Sequence, residues 1–189
     1  MRALATFTGL VLAMLTASPS VAQTTQNYIY DVHGRLVATS NGVSNTSGSA
    51  TTYGLDAADN RTDRGRVLTT ARAGGQDRLS SGETLVAGQQ LQSSDSRFVF
   101  LFQPGDGNAV IYWIGSGALW STSTASGNAL TLTMEAGGNV VVKDYLGATL
   151  FQTGTGGNPG AVLVMQSDGN LVVYSSGGSP LWNSGTGGH

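Results

Sequence analysis

Three asparagines, Asn108, Asn139 and Asn170, stand 31 residues apart. The same interval separates Trp120, Phe151 and Trp182, and again Tyr112, Lys143 and Tyr174. Self-similarity at a fixed period means that one supersecondary unit is built three times. The units run from Phe98 to Thr122, from Leu130 to Thr153 and from Ala161 to Ser184. In the last unit an apolar strand, Val162 to Gln166, meets Asp168-Gly169, a dipeptide whose backbone tolerates the twist-matched hairpin turn. A second strand, Asn170 to Tyr174, leads through a Ser/Gly-rich turn to a third at Pro180 to Asn183. Gly137-Gly138 take the turn in the middle unit. Three such meanders cannot each bury a core alone, but around a pseudo-three-fold axis they can share one. The period therefore predicts an all-β protein with three pseudo-symmetric antiparallel sheets. The large ring ending each unit (Trp120, Phe151, Trp182) is expected at the centre of that core rather than stacked on a ligand. The stretch Leu79 to Leu85 precedes the first unit and is expected to supply an opening strand.

Composition agrees with short strands and tight turns. The chain has 28 glycines among 189 residues and only 11% charged residues. Long solvated helices would carry more Glu, Lys and Arg. Arg2 followed by the apolar run Leu4 to Leu15, too short to span a bilayer, reads as an export signal. Ser20-Val21-Ala22 is a small-residue cleavage pattern, so residues 1–22 are expected to be removed and the product secreted. A retained N-terminal anchor is the alternative. No other stretch is apolar and long enough to span a membrane. Cleavage would remove Arg2 and no acid, taking the net charge from −2 to −3. Nothing here is basic enough to argue for nucleic acid or an anionic membrane. With no cysteine, an exported fold rests on its core alone.

Residues 23–72 differ in character from 73–189, the expected boundary of the repeat domain. They contain two similar pieces, Tyr28-Ile29-Tyr30-Asp31-Val32-His33-Gly34-Arg35 and Tyr53-Gly54-Leu55-Asp56-Ala57-Ala58-Asp59-Asn60-Arg61. These resemble the YD repeat of Rhs-type secreted shell proteins. Two copies cannot build a shell, because each repeat buries its apolar face against neighbours. The segment is therefore expected to be a poorly ordered extension, with a polar linker that matches by chance as the alternative.

The chemistry lies in Gln166, Asp168, Asn170, Val172 and Tyr174. Side chains alternate along a strand, so Asn170, Val172 and Tyr174 share a face while Leu171 and Val173 point to the core. The hairpin brings Gln166 beside Asn170, with Asp168 at the turn. Amides offer a donor and an acceptor, a carboxylate accepts, and a phenol does either, which is what a rim of sugar hydroxyls requires. Val172 can meet the apolar carbons of a sugar ring.

The pattern Q-x-D-x-N-x-V-x-Y, with Ser81-Gly82-Glu83-Thr84-Leu85 and the recurrent Leu-Trp pair, resembles the bulb-type lectins, a monocot mannose-binding family. The resemblance covers about residues 77–186. It implies a β-prism II fold and mannose or mannosylated glycans as partners, with no cofactor. It further implies Asp168 and Asn170 on the axial 2-hydroxyl, Gln166 on the 3-hydroxyl, Tyr174 on the 4-hydroxyl and Val172 against the ring carbons. Family members often form homodimers by exchanging a C-terminal strand, and the segment from Leu181 is long enough for that.

The first unit holds Gln103, Asp106, Asn108, Val110 and Tyr112, but Gln103 lies five residues before Asn108 instead of four. If Pro104-Gly105 lengthen the turn, Gln103 still faces the pocket; this is preferred. If the register is unchanged, Pro104 takes the Gln position and one contact is lost. The middle unit has Glu135, Gly137, Asn139, Val141 and Lys143. Its acceptor Asp is gone, Lys replaces Tyr, and Glu135 and Lys143 could pair with each other, so this degenerate pocket is expected not to bind mannose.

Alternating polar and apolar residues also describe any half-exposed strand, and Asp-Gly-Asn could be kept for its turn alone. A non-binding adhesin scaffold is therefore the competing reading, with a lectin-like bacteriocin ranked lower because those usually carry two prisms. Catalysis finds little support. The only histidines, His33 and His189, lie near no credible nucleophile, and no metal-ligand cluster or phosphate loop is present.

Overall fold

The structure, a computed structural model, describes residues 24–43, 47–58, 60–69, 76–125 and 128–189. The expected signal segment, residues 1–22, lies outside the described residues, as does the expected domain boundary at 72/73. All regular elements described are strands, arranged in four antiparallel four-stranded sheets.

Three sheets are the repeat units. The first contains β8 (Phe98–Phe102), β9 (Ala109–Trp113) and β10 (Gly117–Ser121). The second contains β11 (Ala129–Met134), β12 (Val140–Asp144) and β13 (Thr149–Gln152). The third contains β14 (Val162–Met165), β15 (Leu171–Tyr174) and β16 (Pro180–Asn183). The segment before them supplies not one opening strand but three, in reverse order. β5 (Arg78–Leu79) joins the third sheet beside β14, β6 (Thr84–Val86) the second beside β11, and β7 (Gln90–Gln92) the first beside β8. One short stretch thus laces the three units together.

The alternation seen in sequence sets the core. Phe98, Phe100 and Phe102 from β8, Leu132 and Met134 from β11, and Leu163 and Met165 from β14 are all at most 1% exposed. They form one cluster with Ile111, Val142 and Val173. Trp120, Phe151 and Trp182 meet one another edge to face, with centroids 5.7, 5.7 and 6.3 Å apart. Such pairs contribute about 0.5–1.5 kcal/mol each beyond their burial. The three rings, one from each repeat unit, meet around a common point as the repeat requires, but they are not fully buried. They pack against the cluster only in part, because each comes from the outermost strand of its sheet.

The segment expected to be poorly ordered is instead a fourth sheet: β1 (Thr24–Tyr30), β2 (Leu36–Val43), β3 (Ser47–Leu55) and β4 (Arg61–Thr69), paired in that order. Its apolar face has a partner that two repeats alone do not supply. Ile29, Val37, Ala38 and Ala50 cluster with Val86 and Leu130 of the prism, so the prism takes the place of further repeats. Close approach is possible because Gly42 and Gly48 face it. A Cβ on Gly48 would lie 2.6 Å from Val86 Cγ2, and one on Gly42 2.6 Å from the Ala87 carbonyl oxygen. Thr69 Oγ1 donates to Gln89 Oε1 at 3.1 Å across the same junction.

The two YD-like pieces adopt the same turn. Asp31 Oδ1 accepts the backbone N–H of His33 and Arg35, and Asp56 Oδ1 accepts those of Ala58 and Asn60. Arg35 also grips Asp31 at 2.6 Å. The Arg35 side chain first, and then the two N–H donors, hold the Asp31 carboxyl at a pKa of about 2. Asp56 is lowered by the hydrogen bonds from Asn60. The repeated Asp is thus the residue that closes the β1–β2 and β3–β4 hairpins of this sheet.

Candidate carbohydrate site

In the third unit Gln166 Nε2 donates to the Tyr174 hydroxyl at 2.8 Å, so both side chains stand on the same side of the sheet. Asp168 Oδ1 accepts the Asn170 backbone N–H at 2.9 Å, which fixes the turn and leaves the second carboxylate oxygen for another donor. Leu171 and Val173 belong to the core cluster. Val172 is also buried, at 3% exposure, yet lies outside that cluster. It is a floor with little surface of its own to offer.

The first unit repeats this geometry. Gln103 Nε2 donates to Tyr112 Oη at 2.8 Å, and Asp106 Oδ1 accepts the Asn108 N–H at 3.0 Å. The turn is the longer of the two alternatives: the Gln103 N–H bonds to the Asn108 carbonyl as the Gln166 N–H bonds to that of Asn170. Gly105 and Gly107, at φ +92° and +69°, absorb the extra residue. Val110 is 5% exposed, in the position of Val172. In the middle unit the pair is replaced by an ion pair, Lys143 Nζ to Glu135 Oε1 at 2.9 Å. Val141 is as buried there as Val172 in the third unit, so burial of this valine is a property of the fold.

One role was missed in the sequence. The asparagine side chain of each motif is a clamp. Asn170 Oδ1 accepts Ser184 Oγ at 3.1 Å and Thr186 N at 3.3 Å. Asn108 Oδ1 accepts Thr122 Oγ1 and Thr124 N, both at 3.1 Å. Asn139 Oδ1 accepts Thr153 Oγ1 at 3.0 Å and Thr155 N at 3.2 Å. The second hydroxyl of each pair donates back to the turn, Thr186 to Gly169 O, Thr124 to Gly107 O and Thr155 to Gly138 O. The amide oxygen therefore serves the protein; in the first and third units the amide NH₂ is the group that can donate to a ligand, whereas the Asn139 NH₂ donates to Gln152 Oε1 at 3.1 Å. The signal was present: Thr122, Thr153 and Ser184, and Thr124, Thr155 and Thr186, recur at the same 31-residue interval.

The turns also close the ring of units. A Cβ on Gly107 would lie 2.8 Å from Ala129 of the second unit, and one on Gly169 2.9 Å from the Phe98 ring of the first. Beside Gly169, Arg97 donates to Ser167 O while ion-paired to Asp95 at 2.6 Å. Ser93 and Arg97 together hold the Asp95 carboxyl at about 2. Among the described residues no His, Asp and Glu side chains group as a metal-ligand set, and no helix is long and apolar enough to cross a membrane.

Three pseudo-symmetric sheets, two of them carrying the complete polar hairpin motif, place the chain in the class of β-prism lectins. The chain is similar to the Japanese Marasmius oreades lectin, at 32% identity over 59% of this chain and 92% of that one, with a TM-score of 0.55. It is similar also to a monomeric monocot mannose-binding lectin from Gastrodia elata, at 30% identity over 59% and 98%, with a TM-score of 0.52. No family model matches the chain, and no curated protein matches it. The chain belongs to the bulb-type, monocot mannose-binding lectin family, a family of carbohydrate-binding proteins.

Proposed function

We propose that this protein is a secreted lectin that binds mannose or mannose-bearing glycans through two pockets, on the third and first units, and not through the second. One observation carries the reading. The same Gln–Tyr hydrogen bond of 2.8 Å recurs in the two units with complete motifs, and an ion pair stands in its place where the motif is lost. The Gastrodia elata relative is a mannose-binding lectin, which supports the choice of sugar.

Each pocket works by matching hydroxyls. Asp168 accepts from the axial 2-hydroxyl and the Asn170 NH₂ donates to it. Gln166 serves the 3-hydroxyl and Tyr174 the 4-hydroxyl, while Val172 underlies the ring carbons. Asp106, Asn108, Gln103, Tyr112 and Val110 act likewise in the first unit. Open sites of this kind hold one sugar weakly, at about 1 mM or about −4 kcal/mol. Multivalent presentation raises that affinity.

Calorimetric titration with methyl α-mannoside tests the reading. Two equivalents bind the intact chain, Asp168→Ala or Asp106→Ala each removes one, and the double variant removes both. Absence of binding at tens of millimolar sugar, with the chain folded, leaves the prism as a scaffold.

A further inference from the structure

The N-terminal sheet presents a second polar surface, remote in composition from the prism motifs. Tyr28, Thr39, Thr51 and Arg66 are direct partners in one row across all four strands, and Gln26, Asn41 and Ser49 begin the next. Opposed residues of antiparallel strands share a face. Ile29, Ala38 and Ala50 alternate with these rows and enter the junction with the prism, so the rows face outward.

A depression follows this outer face. Its middle is a concavity of about 280 Å³. A second, of about 430 Å³, shares Tyr53 and Arg64 with it, and a third, of about 360 Å³, shares Asn41, Ser49 and Arg66. The middle concavity adjoins each of the other two through these shared residues, so the feature is an elongated depression rather than a single-ring pocket. Arg61, Arg64 and Arg66 are spread along it, and none of the described residues lining it is a carboxylate.

The lining names its ligand class. Amides and hydroxyls from Gln26, Thr39, Asn41 and Ser49 can donate and accept, as vicinal sugar hydroxyls require. Tyr28 is 52% exposed and offers an apolar ring face to pyranose C–H groups. Arg61 lies over the Tyr53 ring at 4.3 Å, which fixes its guanidinium before any ligand arrives. Guanidinium forks match planar carboxylates and sulfate oxygens. A nucleic acid strand carries a charge at every phosphate and selects strongly basic proteins, whereas this chain is acidic overall, at −2.

We propose that the outer face of the β1–β4 sheet binds an acidic oligosaccharide, a run of sugars bearing carboxylate or sulfate groups, independently of the prism pockets. The two anion types share one chemistry here, and the choice between them is made by experiment.

The full-length chain is titrated with tetragalacturonate, a heparin-derived tetrasaccharide, maltotetraose and a short oligothymidylate. At least one acidic sugar binds near the millimolar range, maltotetraose binds at least about tenfold more weakly, and added salt weakens the acidic ligand. The variant Arg66→Gln loses about tenfold in affinity at an unchanged melting temperature. Tyr28→Ala, an exposed change, also weakens binding. Saturating methyl α-mannoside leaves the acidic-sugar titration unaltered. The proposal is overturned if neither acidic sugar binds, if maltotetraose binds equally, or if oligothymidylate binds more tightly. It is likewise overturned if folded variants bind like the parent, or if methyl α-mannoside competes.

Discussion

Replacing Asn139 by alanine separates the clamp role of the motif asparagine from sugar binding, because Asn139 sits in the unit whose pocket motif is lost. Its Oδ1 accepts Thr153 Oγ1 at 3.0 Å and Thr155 N at 3.2 Å. Thr153 Oγ1 keeps Thr155 Oγ1 as a neighbour at 2.8 Å, so the heavier loss falls on the Thr155 N–H. Thr155 is 6% exposed, and water cannot easily replace the lost acceptor. A buried donor stripped of its partner costs about 1–3 kcal/mol, and the second bond adds about 1 kcal/mol. Asn139→Ala should therefore destabilise by about 2–4 kcal/mol. In a chain of this size about 1 kcal/mol lowers the melting temperature by about 2–4 °C, so the fall is about 4–16 °C. Asn139→Asp keeps an acceptor in place and should recover most of the loss. Urea denaturation followed by tryptophan fluorescence measures both variants. If Asn139→Ala unfolds within about 0.5 kcal/mol of the parent, the clamp is not structural and the reasoning fails.

Gly169→Ala places a methyl group 2.9 Å from Phe98 and from the Thr186 carbonyl at φ +90° and should cost about 1–3 kcal/mol, read from the denaturation midpoint; a neutral result contradicts the ring closure at this turn. The contribution of Asp31 to the N-terminal sheet, whose folded pKa is about 2 against 3.8, is fully present above about pH 4 and is lost as pH falls towards 2. Hydrogen exchange of β1 and β2 amides should show that acid loss, and Asp31→Asn should reduce it at the β1–β2 hairpin while Asp56 still titrates at β3–β4. The triple variant Glu135→Gln/Gly137→Asp/Lys143→Tyr rebuilds the motif where a Cβ on Gly137 meets nothing within 4 Å, and a third equivalent of methyl α-mannoside should then bind in calorimetry.

The fold was legible because the repeat carried it. The 31-residue interval set the three meanders, and alternation along β15 put Leu171 and Val173 on the core face. Strand alternation and hairpin geometry put Gln166 and Tyr174 on one side of the sheet and allowed Glu135 and Lys143 to pair; the direct Gln166–Tyr174 hydrogen bond was visible only in the structure. What escaped was non-local. Periodicity gives no view of Leu79 to Gln92 dividing itself among three sheets, since each strand is only two or three residues long. Size alone predicts full burial for Trp120, Phe151 and Trp182; they do meet one another, but their place on outermost strands leaves them partly exposed. The N-terminal segment was judged by the number of its own repeats, and the apolar face of Val86 and Leu130 that completes its core lies far along the chain. The clamp is hidden in the sequence because its partners, Ser184 and Thr186, lie beyond β15 and β16 along the chain from Asn170.

A crystal structure of the protein soaked with methyl α-mannoside bears most directly on the central claim. A sugar ring should lie between Gln166, Asp168 and Tyr174, and another between Gln103, Asp106 and Tyr112, with the Glu135–Lys143 ion pair intact and no sugar on the second unit. Sugar seated on the second unit, or on neither of the others at saturating concentration, would contradict it.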